Sequence, residues 1–404
     1  MKILIYGINY SPELTGIGKY SGEMAKWMYA QGYETRVITA PPYYPEWKVS
    51  SKYSSWKYSK FSDDETIYRC PLYVPQKPTT IKRLVHLLSF SLTSLFPLFI
   101  QYRWKPDYII CVAPTLFCVP GAWLLSKLTG AKTILHIQDY EVDAMLGLGM
   151  AKKGFLSDFG KRFERWCLHS MNMVSTISQS MINKAVEKGV DKEKLIFFPN
   201  WSEVERFRNI TKVDAIYLKG RLGLSHAERI ILYSGNIGEK QGLEILIEVA
   251  ERMRSESCVF LIVGDGGGKE RLQKLVEEKK LANVIFRPLQ AYEDLPFLLK
   301  LADCHLVVQR RGAADAVLPS KLTNILAVGG NSVITAELDT ELGRLCENYP
   351  GIGICVEPES VDALFHGIIE CLKLEPENKV AKAYALEFLD KGSVLNKFIN
   401  DIQN

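Results

Sequence analysis

The sequence predicts an α/β protein with two Rossmann-like domains, and two observations lead to this fold class. An apolar run of strand length at 229–234 enters a glycine-bounded loop at 235–242, after which apolar residues recur at helical spacing. A second unit of the same kind follows, with apolar residues at 260–263, a glycine-rich loop at 264–268 and an amphipathic helix. Strands that alternate with helices form parallel sheets. The chain of 404 residues also exceeds what one hydrophobic core usually holds, which favours two domains.

The loops after these two strands are candidate binding sites for a diphosphate. Free backbone N–H groups and the positive end of the helix dipole collect at a helix N-terminus. Gly235 and Gly238 allow a ligand to approach the backbone closely, and Lys240 adds a positive charge. Gly264 and Gly266 follow the next strand, and nucleotides bind at the carboxyl edge of such sheets. An ordinary turn with a solvated lysine is the alternative interpretation of the first loop.

Length and composition predict the domain organisation and the compartment. We expect an N-terminal domain at 1–206, a hinge in the polar, unpatterned segment 207–226, and a C-terminal domain with closing helices at 227–404. The nine cysteines include no C-x-x-C pair, which indicates core thiols in a reducing compartment. The N-terminus enters a strand directly and lacks the long apolar region of a signal peptide. We therefore expect a cytoplasmic protein.

The charge is distributed unevenly along the chain. Residues 1–200 contain 25 Lys and Arg against 16 Asp and Glu, a balance of +9, whereas residues 201–404 contain 25 against 30, a balance of −5. A basic first half predicts an anionic partner for that half, either nucleic acid or a lipid surface. Because no nucleic-acid-binding motif is recognisable, we do not expect nucleic acid as the partner.

The first domain begins with a predicted strand at 3–6 and a helix from Gly16 to Gly32. Gly16 and Gly18 would allow a ligand to approach the start of this helix, or they are simply turn residues. Strands at 35–39 and 67–74 flank a long segment rich in Pro, Tyr and Trp, which starts at 41–47. Loops of that length inside a compact domain are usually functional.

The most apolar part of the chain is predicted to be a helix at 83–100. Its length is at the lower limit for a membrane span, and several Ser and Thr residues and Pro97 weaken that interpretation. Two other interpretations stay open, namely a core helix and a helix that lies in the membrane interface with a basic rim. The rim consists of Lys82, Arg83, Arg103 and Lys105. We expect a membrane-facing region near 82–105.

Strands at 108–112 and 133–137 would place His136 and Asp139 at the carboxyl edge of the first sheet. A histidine beside a carboxylate at that edge is a candidate for orienting a substrate hydroxyl, with a purely structural histidine as the alternative. Asp139, Glu141 and Asp143 could suggest a cation site. We nevertheless predict no metal, because the sequence has no D-x-D pair and no convincing His or Cys co-ligands.

The second domain is predicted to carry a third helix N-terminus at the same edge as its two glycine loops. A strand at 305–308 is followed by a loop and by a helix that starts at Ser320. Ser320 is a natural N-cap and Lys321 lies in the first turn, so both are candidates for contacts to a bound anion.

Four stretches of the sequence resemble the retaining glycosyltransferases of family 4, which have the GT-B fold. They are YGINYSPELTGIGKY at 6–20, HIQDYEVD at 136–143, SGNIGEKQG at 234–242 and GAADAVLPSK at 312–321. In these stretches the chain is similar in particular to the fucose-type transferases of bacterial colanic-acid and O-antigen clusters. The resemblance covers essentially the whole chain and implies two Rossmann-like domains that face each other across a cleft.

The resemblance also implies roles for individual residues. Lys240 matches a lysine that binds the donor diphosphate, whereas Asn236 stands where an arginine is usual. Of two glutamates that the family carries, Asn324 falls at the position of the second, which contacts the ribose, and Asp315 lies near the first, which contacts the sugar. The implied catalytic residues are His136, Lys240 and Asp315, and the implied acceptor-binding residues are Tyr10, His136 and Asp139. The expected donor-binding residues are Gly16, Gly18, Gly235, Asn236, Gly238, Lys240, Gly264, Gly266, Asp315, Ser320, Lys321 and Asn324.

The reaction that the resemblance implies is transfer of a 6-deoxyhexose with retention of configuration. The donor would be a nucleotide sugar, N-acetyl-L-fucosamine linked to UDP or L-fucose linked to GDP. The acceptor would be a lipid-diphosphate-linked saccharide of O-antigen or exopolysaccharide synthesis, at the inner leaflet of the plasma membrane. The acceptor attacks from the leaving-group face and a donor phosphate oxygen takes its proton, so no metal or other cofactor is expected. The alternatives are a GT-B sugar-nucleotide epimerase and a basic nucleic-acid-binding protein.

Overall fold

The structure is a computed structural model of the chain. It describes residues 1–13, 16–44, 46–62, 64–76, 79–140, 155–224, 229–312 and 318–404, and of residues 80, 155–157 and 240 it describes the backbone alone. The chain divides into two compact units. Unit 1 comprises Met1–Phe198 and Phe398–Asn404, and unit 2 comprises Pro199–Lys397.

Unit 1 contains an eight-stranded sheet. Its strands are β1 (Lys2–Tyr6), β2 (Glu34–Thr39), β3 (Ser59–Ser62), β4 (Thr66–Arg69), β5 (Tyr108–Val112), β6 (Lys132–Ile137), β7 (Met173–Thr176) and β8 (Leu195–Phe197). The order is β3-β4-β2-β1-β5-β6-β7-β8, and all neighbours are parallel except β3 and β4. The predicted strand at 67–74 ends at Arg69 and is the second strand of a hairpin.

Helices connect these parallel strands. They are α1 (Gly16–Ala30), α2 (Thr80–Ile100), α3 (Val119–Thr129), α4 (Phe155–Ser170) and α5 (Gln179–Glu187), with short 3-10 turns at Leu116–Cys118 and Lys192–Lys194. The strands β1 and β5 lie side by side at the centre of the sheet, although β2, β3 and β4 lie between them in sequence. The connections therefore diverge at this pair, which is where α/β sheets form binding crevices.

Unit 2 contains a six-stranded parallel sheet. Its strands are β9 (Arg229–Ser234), β10 (Cys258–Val263), β11 (Val284–Arg287), β12 (Cys304–Val307), β13 (Ser332–Thr335) and β14 (Ile354–Val356). The order β11-β10-β9-β12-β13-β14 is that of the doubly wound nucleotide-binding fold, with the crevice between β9 and β12. The two parallel-sheet units confirm the predicted α/β class.

The helices of unit 2 cover both faces of this sheet. They are α6 (Glu205–Arg208), α7 (Lys212–Arg221), α8 (Glu244–Arg252), α9 (Lys269–Glu278), α10 (Leu295–Leu301), α11 (Ser320–Ala327), α12 (Glu341–Asn348), α13 (Val361–Cys371), α14 (Lys379–Tyr384) and α15 (Lys391–Gln403), the last of which continues into unit 1. Successive residues of β9 belong to different cores, because Ile230 and Leu232 pack on one face while Ile231 and Tyr233 pack on the other.

The contacts of segment 207–226 differ from those expected of a hinge. Over its described part the segment lies in unit 2, where Phe207, Ala215 and Leu218 join the buried core. Thr211 and Asp214 form a capping box at the start of α7, a signature that is visible in the sequence. The helix buries only two of its ten residues, Ala215 and Leu218, and this apolar pattern is too sparse to predict a helix from periodicity.

Helix α2 has one buried face and one exposed apolar face. On the buried face, Phe90 is fully buried and the Ser94 hydroxyl lies 2.5 Å from the Tyr6 hydroxyl. The exposed face carries a row of large apolar side chains, which we call the apolar stripe: Ile81, Val85, Leu88, Leu92, Phe96 and Ile100. Among the described residues, Ile81–Ile100 is the one helix long and apolar enough to cross a membrane by length and composition, and 39% of its apolar window is buried.

Candidate functional site

The two glycine-rich loops of unit 2 lie against each other at the carboxyl ends of β9 and β10. A Cβ atom added to Gly264 would lie 2.0 Å from the carbonyl oxygen of Gly235, and one added to Gly266 would lie 2.4 Å from that of Ile237. Gly235 and Gly266 also have positive φ angles of 150° and 148°. Glycine is therefore needed at these positions for the two loops to pack together.

Three of the four amides at 235–238 are already bonded within the protein. The Gly235 N–H donates to Val263 O at 3.0 Å, and the Ile237 N–H donates to Asp265 O at 2.9 Å. The Gly238 N–H donates to the Gln241 side chain at 3.1 Å. In this conformation the loop therefore presents fewer free donors than the sequence suggests.

Lys321 is the charged group that lies over this loop. Its amine lies 4.0 Å from the centre of the Tyr233 ring and 3.6 Å from the position of a Cβ atom on Gly235. Burial lowers the pKa of Lys321 from 10.5 to about 8, because a buried ammonium loses its hydration. No ion pair compensates this amine within the described ranges. A bound anion would supply the missing counter-charge.

A cavity of about 160 Å³ lies beneath Lys321. Its polar lining includes Ser234, Ser320, Asn324 and His305. His305 is 1% exposed, and neither of its ring nitrogens has a hydrogen-bond partner among the described residues. Burial lowers the pKa of His305 to about 3, so the ring is neutral at neutral pH. Ser320, Lys321 and Asn324 are thus brought together as expected, whereas no sequence pattern indicated His305 as a member of the site.

Two of the predicted donor-binding residues fall partly or wholly outside the described part of the chain. Lys240 belongs to the short 3-10 turn Glu239–Gln241, but its side chain is outside it. Asp315 lies in 313–317, which is not described. The carbonyl oxygen of Asn236 accepts a 2.6 Å hydrogen bond from the Tyr233 hydroxyl, which ties the loop to the end of β9. The roles of Lys240, Asn236 and Asp315 stay predictions.

In unit 1, Gly18 is required for packing around a buried carboxylate. A Cβ atom on Gly18 would lie 2.3 Å from Glu13 Oε2. Glu13 is 6% exposed, accepts N–H groups of Tyr43 and Tyr44 at 3.2 and 3.1 Å, and accepts the Asn9 amide at 3.0 Å. Burial raises the pKa of this carboxyl. Gly16 has a φ angle of 59° and opens α1.

His136 lies at the end of β6 but is enclosed by protein groups. Its Nδ1 lies 3.0 Å from Ser175 Oγ, and its Nε2 lies 2.9 Å from the amide nitrogen of Gln138. The ring is 3% exposed, and burial lowers its pKa to about 3. His136 is therefore neutral, and a sugar hydroxyl would have to replace Gln138 to reach it. Asp139 is exposed at the same edge.

Tyr10, a predicted acceptor-binding residue, faces a polar cavity of about 300 Å³ on unit 1. Its hydroxyl donates to Glu65 Oε1 at 2.5 Å. Arg69 lines the same cavity and donates to the carbonyl oxygens of Ala40 and Ser11 at 2.7 and 2.5 Å. Tyr10, Glu65 and Arg69 are each at most 5% exposed. These bonds show Tyr10 as part of a buried polar network.

The described residues contain no group of three or more His, Cys, Asp or Glu side chains that could hold a metal ion. Asp139 is described, but Glu141 and Asp143, with which it was considered as a cation site, lie in 141–154, outside the described residues. The absence of a metal requirement stays a prediction.

Sequence reasoning did not identify Tyr233 and Glu13, which shape the two candidate sites. Tyr233 is the penultimate residue of β9, and this position beside a glycine loop could have indicated that its side chain contacts the loop. Glu13 lies in a loop between a strand and a helix, and no local pattern distinguishes a buried loop carboxylate from a solvated one.

Two family models match the chain. The description "Glycosyl transferase 4-like domain" matches residues 15–201, and "Glycosyl transferases group 1" matches residues 218–388. A protein of Escherichia coli K12, provisionally named as the colanic acid biosynthesis glycosyl transferase WcaI, is 63% identical to this chain over 406 residues. The alignment covers 100% of both chains.

Solved structures show the same fold at much lower identity. A sucrose-phosphate synthase of Thermosynechococcus elongatus is 16% identical with a TM-score of 0.67, over 100% of this chain and 98% of that one. Anabaena HepE, solved in complex with UDP, is 14% identical with a TM-score of 0.65 over 100% of both chains. The protein is a glycosyltransferase with the GT-B fold and belongs to the group 1 glycosyltransferase family.

Proposed function

We propose that this glycosyltransferase moves a 6-deoxyhexose of the L-fucose type from a nucleotide diphosphate to a lipid-diphosphate-linked saccharide, with retention of configuration. The observation that carries the donor class is the buried amine of Lys321 over the glycine loops of unit 2, which has no ion-pair partner among the residues that the structure describes. HepE, a structural neighbour, was solved with UDP, which supports a nucleoside diphosphate. The name of the 63% identical relative supports a role in exopolysaccharide synthesis such as that of colanic acid.

The charges of unit 2 suit a reaction in which a diphosphate leaves. The bond between the anomeric carbon and the diphosphate oxygen breaks, and the acceptor oxygen bonds to the same face of that carbon. The acceptor proton passes to a phosphate oxygen of the leaving group. Lys321 and Lys240 would stabilise the negative charge that grows on the diphosphate, which is the kind of effect that lowers such barriers most. No step of this scheme uses a metal or a protein nucleophile.

The donor assignment is tested by binding and transfer with a panel of UDP- and GDP-linked sugars. A donor that binds the folded protein raises its melting temperature, with about 2.7 kcal/mol of added stability at 100 times the dissociation constant. We expect stabilisation by a 6-deoxyhexose nucleotide and product only when a lipid-linked acceptor is added. Turnover of the donor without acceptor would instead favour an epimerase.

We further propose that the enzyme works in the cytoplasm at the inner membrane surface. The apolar stripe of α2 leaves Ile81, Leu92 and Phe96 between 65% and 74% exposed, and Lys82, Arg103 and Lys105 rim it as exposed cations. An exposed apolar row with a basic rim suits an anionic bilayer surface, where each basic residue contributes about 1 kcal/mol.

Co-sedimentation with vesicles tests the membrane proposal. We expect the wild type to bind anionic vesicles at low salt and to bind less at high salt. A variant with Lys82, Arg83, Arg103 and Lys105 changed to glutamine should bind less at low salt. The double variant Leu92→Gln with Phe96→Gln should bind less than wild type at both low and high salt. Equal binding by the wild type and both variants would identify α2 as a core helix only.

A further inference from the structure

An aromatic and basic cluster lies where α2 begins in unit 1, and it adjoins the buried Glu13 through Tyr43, whose N–H donates to that carboxylate at 3.2 Å. We call it the Trp47 cluster: Tyr43, Trp47, Arg83 and His86. The Trp47 ring lies 5.6 Å from the Tyr43 ring and 5.3 Å from the His86 ring, and the Arg83 guanidinium lies 5.5 Å from the centre of Trp47. Trp47 and Tyr43 come from the Pro-, Tyr- and Trp-rich segment of the sequence.

Arg83 is held as a preoriented cation. Stacking on Trp47 restrains its guanidinium, and its Nε atom is buried without a hydrogen-bond partner among the described residues. The side chain of Thr79, the N-cap residue of α2, makes no capping hydrogen bond. A guanidinium at the positive end of a 21-residue helix favours a bound phosphate.

His86 supplies a complementary hydrogen-bond acceptor. Its Nδ1 lies 2.5 Å from Tyr73 O and must donate to it, because a carbonyl oxygen only accepts. The Nε2 atom therefore carries a lone pair, and it has no partner in the described part of the chain although His86 is only 1% exposed. A buried acceptor without a donor is costly, and a ligand hydroxyl would satisfy it.

Trp47 is also held in an unfavourable backbone conformation. Its φ angle is 52°, in the left-handed region that a bulky residue rarely adopts. Such conformations are unfavourable and cluster at ligand sites. Here the conformation coincides with ring contacts to His86 and with the cation of Arg83.

We propose that the Trp47 cluster binds the sugar-diphosphate head of the lipid-linked acceptor, with Arg83 on a phosphate and His86 Nε2 on a sugar hydroxyl. This inference rests on the proposed function, because it assumes a lipid-linked acceptor. The apolar stripe begins at Ile81, two residues before Arg83 and on the same turn of α2. A lipid whose chain lies in the bilayer covering the stripe would thus carry its diphosphate to the cluster.

The test compares vesicles of phosphatidylcholine that contain polyprenyl diphosphate, polyprenyl diphosphate bearing one sugar, or phosphatidylglycerol at equal surface charge. Saturating UDP and GDP occupy the donor site of unit 2 in every arm. We expect the wild type to prefer both diphosphate vesicles over phosphatidylglycerol, with the sugar-bearing lipid bound most tightly. A preference for phosphatidylglycerol, or none, would overturn the proposal.

Matched variants separate the cluster from general charge attraction. Arg83→Gln and Lys82→Gln remove the same charge from adjacent positions, but only Arg83 stacks on Trp47. We expect Arg83→Gln to lower affinity for the diphosphate vesicles by roughly tenfold more than Lys82→Gln, since a hydrogen bond to a charged group is lost. Equal losses would show only surface attraction and would overturn the assignment.

Two uncharged variants test Trp47 and His86. Trp47→Ala should reproduce the loss of Arg83→Gln, whereas Trp56→Ala, at a tryptophan that is 81% exposed, should not. His86→Asn keeps a donor for Tyr73 O and removes the Nε2 acceptor, so it should abolish only the extra affinity for the sugar-bearing lipid. If these preferences hold while no transfer occurs with any donor, the proposed function fails and the binding site stands. If transfer occurs but the vesicle preferences are absent, the proposed function stands and the assignment of the Trp47 cluster as the acceptor site is refuted.

Discussion

Lys321 combines a charged amine with a buried position, and the cost of that combination supports the donor-binding role that we propose for it. Its pKa falls from 10.5 to about 8 because the protein removes its hydration. Natural folds retain such costs where a ligand supplies the compensating charge. A donor diphosphate beside the amine would raise its pKa again, so donor binding should take up a proton near pH 8 to 9 and weaken at higher pH.

Lys321→Met should stabilise the protein while it weakens donor binding. The lowered pKa means that below pH 8 both the folded and the unfolded state carry the charge, and the folded state bears the full cost of burial, on the order of 3 kcal/mol. Between pH 8 and 10.5 the folded wild type releases the proton, so the advantage of the variant should shrink. Urea unfolding of both proteins at pH 7 and pH 10 measures this difference. A variant less stable than wild type at pH 7 would contradict the buried-charge explanation.

Lys240→Ala should leave the fold intact and slow transfer. The lysine is expected to act on a leaving group that is more negative in the transition state than in the ground state, so kcat should fall roughly 10²-fold or more. Lys274→Ala, at an exposed lysine on α9, is the control. Turnover close to that of wild type at saturating donor would refute the role of Lys240.

At the level of elements, the proposed donor site is built on close packing between the loops after β9 and β10. The backbone of Gly264 approaches the Gly235 carbonyl too closely for any side chain, and the Gly268 N–H donates to Ile237 O at 3.0 Å. The two loops are therefore one structural unit, and a change in the second loop displaces the first.

Gly264→Ala should impair donor binding, whereas Gly267→Ala should not. The added methyl group at 264 would lie 2.0 Å from a backbone oxygen, and such overpacking typically costs about 1–3 kcal/mol. At 267 no atom lies within 4 Å of the added Cβ. Calorimetric titration with the donor and thermal unfolding should separate the two variants. Equal affinities would show that the loops adapt without loss.

At the level of the whole molecule, the two units share an α/β architecture, but the first half of the chain is basic and the second half is acidic. The basic first half contains α2 and the Trp47 cluster, which we assign to the membrane and the acceptor. The second half is acidic overall, but it places the amine of Lys321 over its glycine loops. An overall acidic balance limits nonspecific attraction of anions to unit 2, so the proposed donor would have to be bound through a specific site rather than through net charge.

Transfer should continue in the presence of EDTA. The described residues offer no cluster of metal ligands, and lysine side chains can neutralise the leaving diphosphate in place of a cation. Rates measured with EDTA, Mg²⁺ and Mn²⁺ test this expectation. Activity that chelation abolishes and a divalent cation restores would direct attention to Asp139, Glu141 and Asp143.

The features that depend on local patterns could be predicted before the fold was known. Strand-length apolar runs, glycines and helical periodicity predicted β9, β10 and α11, and with them the α/β class and the place of the glycine loops. Periodicity and turn chemistry act over neighbouring residues, so they can be read without knowing the fold. The resemblance added the family, and the 63% identity to WcaI agrees with it.

Which polar groups are free to act depends on contacts that form when the chain folds. Loop amides at 235–238 are engaged by Val263, Asp265 and Gln241, and His136 is enclosed by Ser175 and Gln138. Lys321 and His86 owe their burial to residues far away in sequence. Burial, pKa and hydrogen-bond partners arise from contacts between distant segments, and no local pattern encodes them.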